Sequence, residues 1–208
     1  ANTNSGKISM FLWHETSGVC LNHPARLFQL TSENDDSHRT ASGDPDRVLA
    51  GAGNDQIEGG SGGDCIYGQT GNDLIGGGQD ADLVSGGSGN DRLSGRGDPD
   101  IIKGGPGNDR ICEKNWGTNY SCWTRIAPYQ LSVQKNQIDG GPGRDLIDTD
   151  GGKDRIDGGP GGDRIVANEG EDEPRFQSPD RIDCGSGRDL AIVDRLDKTR
   201  NCEKVTVK

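Results

Sequence analysis

The sequence predicts an all-β fold, a solenoid of short parallel strands wound into coils, and three observations carry that prediction. From Ala41 to Cys112 one nine-residue phrase recurs eight times, with Asp always in the same place: Asp46, Asp55, Asp64, Asp73, Asp82, Asp91, Asp100 and Asp109. Two residues after each Asp stands an aliphatic: Val48, Ile57, Ile66, Ile75, Val84, Leu93, Ile102 and Ile111. Before each Asp lies a turn rich in glycine, as in Gly86-Gly87-Ser88-Gly89-Asn90-Asp91 and Gly104-Gly105-Pro106-Gly107-Asn108-Asp109. A period of nine is too short for a helical repeat and too long for a hairpin turn. The three residues around the aliphatic make a strand whose middle side chain faces one way while its neighbours face the other. The six residues before it make a turn, where glycine permits positive φ and close backbone approach. Consecutive strands then alternate between two sheets, two nonads complete one coil, and coils repeat at about 4.8 Å.

Residues 1–40 lack the phrase. Their apolar side chains, in Ile8–Trp13 and Val19–Leu30, read as an N-terminal cap, because a bare solenoid end exposes a core layer and unpaired strand edges. Ser32–Ala41 is a polar connector. The repeat region is 41–208, read as one domain of about seven coils. It is interrupted after Asp109, and the ladder resumes at Asp145, Asp154, Asp163, Asp180 and Asp189, with Ile147, Ile156, Ile165, Ile182 and, weakly, Ala191 at the aliphatic position. Asn136 falls at an Asp position with Ile138 two residues on, and Tyr120 and Tyr129 also keep the register. Residues 113–135 are therefore a coil without the Asp or a protruding loop; the near absence of glycine favours the loop. A second insertion, 171–179, is acidic and polar and reads as a surface loop. At the other end 193–208 lose the phrase and read as a C-terminal cap.

Written as a pattern, the phrase is G-G-x-G-x-D-x-U-x with U apolar, and in this form the chain resembles the RTX, or haemolysin-type, calcium-binding repeats. The resemblance implies a right-handed parallel β-roll in which the Asp of one nonad and the Asp two nonads on share a calcium ion. Metal suits the composition. Leu, Ile, Val and Phe make up about 18% of the chain and the formal charge is −11, so the metal-free composition is that of a disordered segment. Calcium takes six to eight oxygens from carboxylates and carbonyls. Each turn, with exposed carbonyls and a terminal Asp, offers half such a shell, and the turn stacked on it offers the other half. The expected ligands are the thirteen ladder aspartates together with carbonyls of the turns, Gly51, Gly53, Gly60, Gly62, Gly86, Gly87, Gly89, Gly104, Gly105, Gly107, Gly140, Gly141, Gly143, Gly158, Gly159 and Gly161. Pairing gives six shared positions from Asp46/Asp64 to Asp91/Asp109, then Asp145/Asp163, Asp154/Asp180 and Asp163/Asp189: about nine ions. An acidic linker would not hold Asp, Gly and aliphatic in register through eight periods. A dry solenoid would stack like charges with nothing between them.

Six cysteines occur, Cys20, Cys65, Cys112, Cys122, Cys184 and Cys202. An even count in a chain with a thin core argues for disulfides and an oxidising, extracellular setting. No C-x₂₋₄-C pairs suggest zinc. Cys184 and Cys202 are one coil apart and could stack at disulfide distance; Cys112 and Cys122 could pin the neck of the interruption; Cys20 and Cys65 would then staple the cap to the third nonad. A chain that begins at Ala1, with no initiating Met and no signal peptide, fits a mature secreted protein. Its last residues, Asp183-Cys184-Gly185, Arg188-Asp189 and Asn201-Cys202-Glu203, resemble the ends of calcium-binding repeat proteins of Gram-positive actinobacteria.

Other chemistry is thin. His14, Glu15 and His23 lack an accompanying nucleophile motif, which leaves a small hydrolase the weakest reading. Asp150-Gly151-Gly152-Lys153-Asp154 lacks the bidentate Glu of an EF-hand loop. Four aromatics, Trp116, Tyr120, Trp123 and Tyr129, crowd the interruption and either pack it onto the roll or form a platform for a polysaccharide. Only Thr70-Gly71-Asn72 supplies the face that ice binding would need. At pI 4.7 the outward Arg and Lys residues neutralise neighbouring carboxylates and do not make a nucleic-acid face. No apolar run reaches the ~20 residues of a membrane span. The expected protein is a secreted, non-catalytic structural or adhesive module, a monomer, with a polysaccharide-binding accessory module as the alternative.

Overall fold

The computed structural model describes residues 26–33, 35, 38–39, 43–112, 135–149, 151–167 and 178–208. They form two nine-stranded parallel sheets. The first contains Arg26–Gln29, Asp46–Ala52, Cys65–Thr70, Leu83–Ser88, Ile101–Lys103, Gln137–Asp139, Arg155–Asp157, Arg181–Asp183 and Lys198–Arg200. The second contains His38–Arg39, Gln56–Ser61, Leu74–Gln79, Arg92–Arg96, Arg110–Cys112, Leu146–Asp148, Arg164–Ala167, Leu190–Val193 and Lys204–Val207. Successive strands along the chain alternate between the sheets, as the period requires, and Pro160–Gly161 and Ser186–Gly187 add a small pair in the turns.

The register stacks the aliphatics in two inward columns. Val48, Ile66, Val84, Ile102, Ile138, Ile156 and Ile182 are successive partners in the first sheet. Ile57, Ile75, Leu93, Ile111, Ile147, Ile165 and Ala191 are successive partners in the second. All of them are buried. Each fully buried Ile contributes about 1.5–3 kcal/mol, but the core is one side chain thick from each sheet.

Both insertions leave the stack unbroken. Ile102 pairs directly with Ile138 and Ile111 with Ile147, so the strands of the two blocks are neighbours in both sheets; residues 113–134 lie outside the described residues. Ile156 likewise pairs with Ile182 across the second insertion. The roll is longer than the expected seven coils, because rungs form at both ends without the Gly-Asp phrase. Arg26–Gln29 lie alongside Asp46–Leu49, and His38–Arg39 alongside Ile57–Glu58, so part of the segment expected to cap the roll supplies its first rung. Lys198–Arg200 and Lys204–Val207 supply the last. Cys184 and Cys202 join neighbouring rungs in a disulfide with Cα atoms 5.1 Å apart, as their one-coil spacing suggested. Cys65 and Cys112 are also in disulfides, and their expected partners, Cys20 and Cys122, lie outside the described residues.

Candidate metal centre

In the turns before Asp55 through Asp109, and again before Asp189, two residues have positive φ, four and two positions before the Asp; before Asp145 and Asp163 only the first of them, Gly141 and Gly159, does. Gly87 (104°) and Gly89 (137°) are one such pair. Non-glycine residues hold the same conformation at Gln69 (75°), Arg96 (86°), Asp80 (73°) and Asp98 (67°). Eight ladder aspartates have a glycine five positions before them, and it has a different task. A Cβ at Gly59, Gly68, Gly77, Gly86, Gly95, Gly104, Gly140 or Gly158 would collide with, or press tightly on, Oδ2 of the following Asp. Of these, Gly59, Gly68, Gly77 and Gly95 stand outside the expected ligand set, although their constant distance from the Asp would have found them.

The turns bring every ladder aspartate into one of two buried columns, where each carboxylate is held in the same way. The backbone N–H of one Asp donates to Oδ1 of the Asp two nonads on. In the first column this links Asp46 to Asp64 (2.8 Å), Asp64 to Asp82 (2.7 Å) and Asp82 to Asp100 (2.9 Å). In the second it links Asp55 to Asp73 (2.9 Å), Asp73 to Asp91 (2.8 Å) and Asp91 to Asp109 (2.8 Å). The interruption does not break either column. Asp109 donates to Asp145 (2.8 Å), while Asp100 donates to Asn136 Oδ1 and Asn136 to Asp154, both 2.9 Å. Asp145 then reaches Asp163, Asp154 reaches Asp180 and Asp163 reaches Asp189, each at 2.8 Å. The shared positions thus include Asp109/Asp145 and the pairs flanking Asn136, in addition to the nine expected.

In eleven of these carboxylates one oxygen is thereby satisfied and the other is not. Oδ2 of Asp55, Asp64, Asp73, Asp82, Asp91, Asp100, Asp109, Asp145, Asp154, Asp163 and Asp189 is buried without a hydrogen-bond partner. Burial, opposed by the backbone hydrogen bond, raises these acids: Asp82 to about 9, Asp100 to about 8, and Asp64, Asp109, Asp154 and Asp163 to about 7. Stacked buried carboxylates, eleven of them with an orphaned oxygen, are untenable as anions unless a cation joins them. Among the described residues no three His, Cys, Asp or Glu side chains gather as a metal cluster. The side chains therefore enter pairwise from stacked turns, and main-chain carbonyls would complete the shell, a donor set that suits a hard cation with oxygen ligands.

The ladder ends in two residues the period does not reveal. Asp180 donates to Asp197 Oδ1 (3.0 Å), whose Oδ2 takes the N–H of Asp194 (2.8 Å). Asp189 donates to Glu203 Oε2 (2.7 Å). His14, Glu15, His23, Asp150 and the four aromatics of the interruption lie outside the described residues, and His38 is in the first rung of the second sheet. Of the outward cations, Arg47 lies 5.5 Å from the centre of the Tyr67 ring, Arg96 pairs with Glu58 (2.7 Å) and Arg200 with Asp183.

Residues 40–75, 76–111 and 135–173 match the family model of the RTX calcium-binding nonapeptide repeat (4 copies). No curated protein matches the chain.

Proposed function

We propose that this chain, which belongs to the RTX calcium-binding nonapeptide repeat family, is a secreted, non-catalytic structural or adhesive module whose roll folds on its calcium ions. RTX repeats bind calcium; the assignment of individual sites is the proposal. The ions would lie between stacked turns, held by Asp46/Asp64, Asp64/Asp82, Asp82/Asp100, Asp55/Asp73, Asp73/Asp91, Asp91/Asp109, Asp109/Asp145, Asp145/Asp163, Asp154/Asp180 and Asp163/Asp189 with turn carbonyls. The pairs that include Asn136 lack one carboxylate and would be the weakest. Bound calcium supplies the positive charge that lets the buried columns stay ionised. The chain's own part is to hold Oδ1 of each Asp by an N–H from the previous coil, leaving Oδ2 for the ion. The observation that carries this reading is the column of buried, unpartnered Oδ2 atoms. The disulfide between Cys184 and Cys202 and the disulfide-bonded Cys65 and Cys112 fit an oxidising, extracellular setting. Residues 1–40 and 193–208 are read as the two ends that shield the roll.

Metal analysis of the oxidised chain after equilibration with calcium tests the assignment. About nine or ten ions per chain are expected. One or two would mean that the columns are not the sites.

A further inference from the structure

The two stacks of turns, one on each edge of the roll, differ in a way the repeat does not require. On the edge that carries Asp55, Asp73, Asp91 and Asp109, the position before each Asp is Asn. Asn72, Asn90 and Asn108 donate their backbone N–H groups to the side-chain Oδ1 of the Asn one coil earlier, at 2.7, 2.7 and 2.8 Å. The N–H groups of Gly53, Gly71 and Gly89 go to the carbonyls of Thr70, Ser88 and Pro106. This edge is neutral apart from the ladder itself.

On the opposite edge, acids stand where glycine stands elsewhere. Asp80 and Asp98 occupy the position two before the ladder Asp and keep its positive φ, at 73° and 67°. A left-handed conformation is unfavourable for a residue with a Cβ, and Asp tolerates it better than most. Their carboxylates reach back one coil. Asp80 Oδ2 accepts the N–H of Gly62 (3.1 Å) and Asp98 Oδ2 that of Asp80 (3.2 Å). On this edge a carboxylate thus takes the role that a neutral carbonyl has on the other. Asp80 lies between the same two turns as the Asp64/Asp82 pair, and Asp98 between those of Asp82/Asp100. In both gaps the ladder carboxylates are buried with Oδ2 unpartnered, which marks the gap as a place for a cation.

Resting on the proposed function, we infer that Asp80 and Asp98 make the Asp64–Asp100 edge the tight, first-filling calcium edge of the first block, and that the Asn-laddered edge fills later. Neither acid needs to be a ligand. Each adds negative charge between turns that already share a cation site, and calcium affinity follows the charge around its site.

Calcium titration of the oxidised full chain by calorimetry, with a competing chelator, tests this. The unsubstituted chain shows at least two classes of site. The Asp80→Asn/Asp98→Asn variant keeps the residue shape and loses the charge; its tightest class weakens about tenfold at low salt, and less at high salt. Asp80→Gly/Asp98→Gly restores the repeat's usual glycine and removes the positive-φ strain, so it folds at least as readily and shows the same loss. Asn72→Gly/Asn90→Gly, on the other edge, leaves the tight class unchanged. A single class in the unsubstituted chain, or double-aspartate variants that titrate as it does, overturns the inference while calcium binding stands. No binding by the unsubstituted chain overturns the reading beneath it.

Discussion

The middle of the roll and its last rungs hold their strands together by different means. From Asp55 to Asp163 the ladder acids are buried, each with one carboxylate oxygen left without a hydrogen-bond partner. From Asp194 onward the column ends differently. Asp197 offers one oxygen to Asp180 and the other to Asp194, Glu203 accepts from Asp189, and a disulfide clamps Cys184 to Cys202. The aliphatic column also fades there: Thr199 follows Ile182, and Val205, following Ala191, is 41% exposed. On the proposed function, metal would hold the roll along its length, while a disulfide and local hydrogen bonds hold its end.

The comparison can be broken at several points. In calcium, Asp73→Ala removes a carboxylate from two shared positions, Asp55/Asp73 and Asp73/Asp91. It should lower stability by about 3–5 kcal/mol, whereas Asp46→Ala at the end of its column should lower it less. Denaturant unfolding of both variants at fixed calcium checks the order; equal losses would mean that the ions are not shared between turns. Ile75→Ala, in the middle of a buried column, should lower stability by about 2–5 kcal/mol, while Thr199→Ala in the fading column should change it by less than about 1 kcal/mol. Removing the clamp with Cys184→Ser/Cys202→Ser should lower it by about 3 kcal/mol, from the loop it closes, and leave the number of bound ions unchanged. The smallest effect is expected at Glu203→Gln, because an amide oxygen still accepts from Asp189 but carries no charge.

The dependence on pH sharpens the same contrast. Without metal, burial holds the ladder acids above their ordinary range, from about 6 for Asp73 and Asp145 to about 9 for Asp82. A pKa raised on folding favours the protonated form. Its contribution is therefore full below the unfolded carboxylate range, near 4, and is lost as pH rises through about 6 to 9. In EDTA the β signal should accordingly increase as pH falls from 9 toward 4. In calcium the trend should reverse, since protons compete with the ion for the same oxygens. A chelated form that is most structured at pH 9 would mean that the carboxylates are not buried in the metal-free chain.

Most of the site was legible because it is periodic. The nonad places every ladder Asp, and the unbroken count of four periods between Asp109 and Asp145 places Asn136 at the right rung. The Cys184–Cys202 bridge was legible for the same reason, as its partners are one coil apart. What escaped lies where the period fails. Glu203 closes a column at a spacing of fourteen residues and Asp197 at seventeen, instead of eighteen, and Glu reaches with its longer side chain. Arg26–Gln29 form a rung by pairing with Asp46–Leu49, without a turn of the repeat to announce it. The division of labour within each carboxylate depends on how stacked turns meet, and no single nonad carries that information.

Circular dichroism of the oxidised chain at neutral pH, first in excess EDTA and then through a calcium titration, tests most directly whether folding and metal binding are one equilibrium. The β signal should be largely absent in EDTA and should appear cooperatively as calcium is added. A spectrum that is the same in EDTA and in calcium would contradict it.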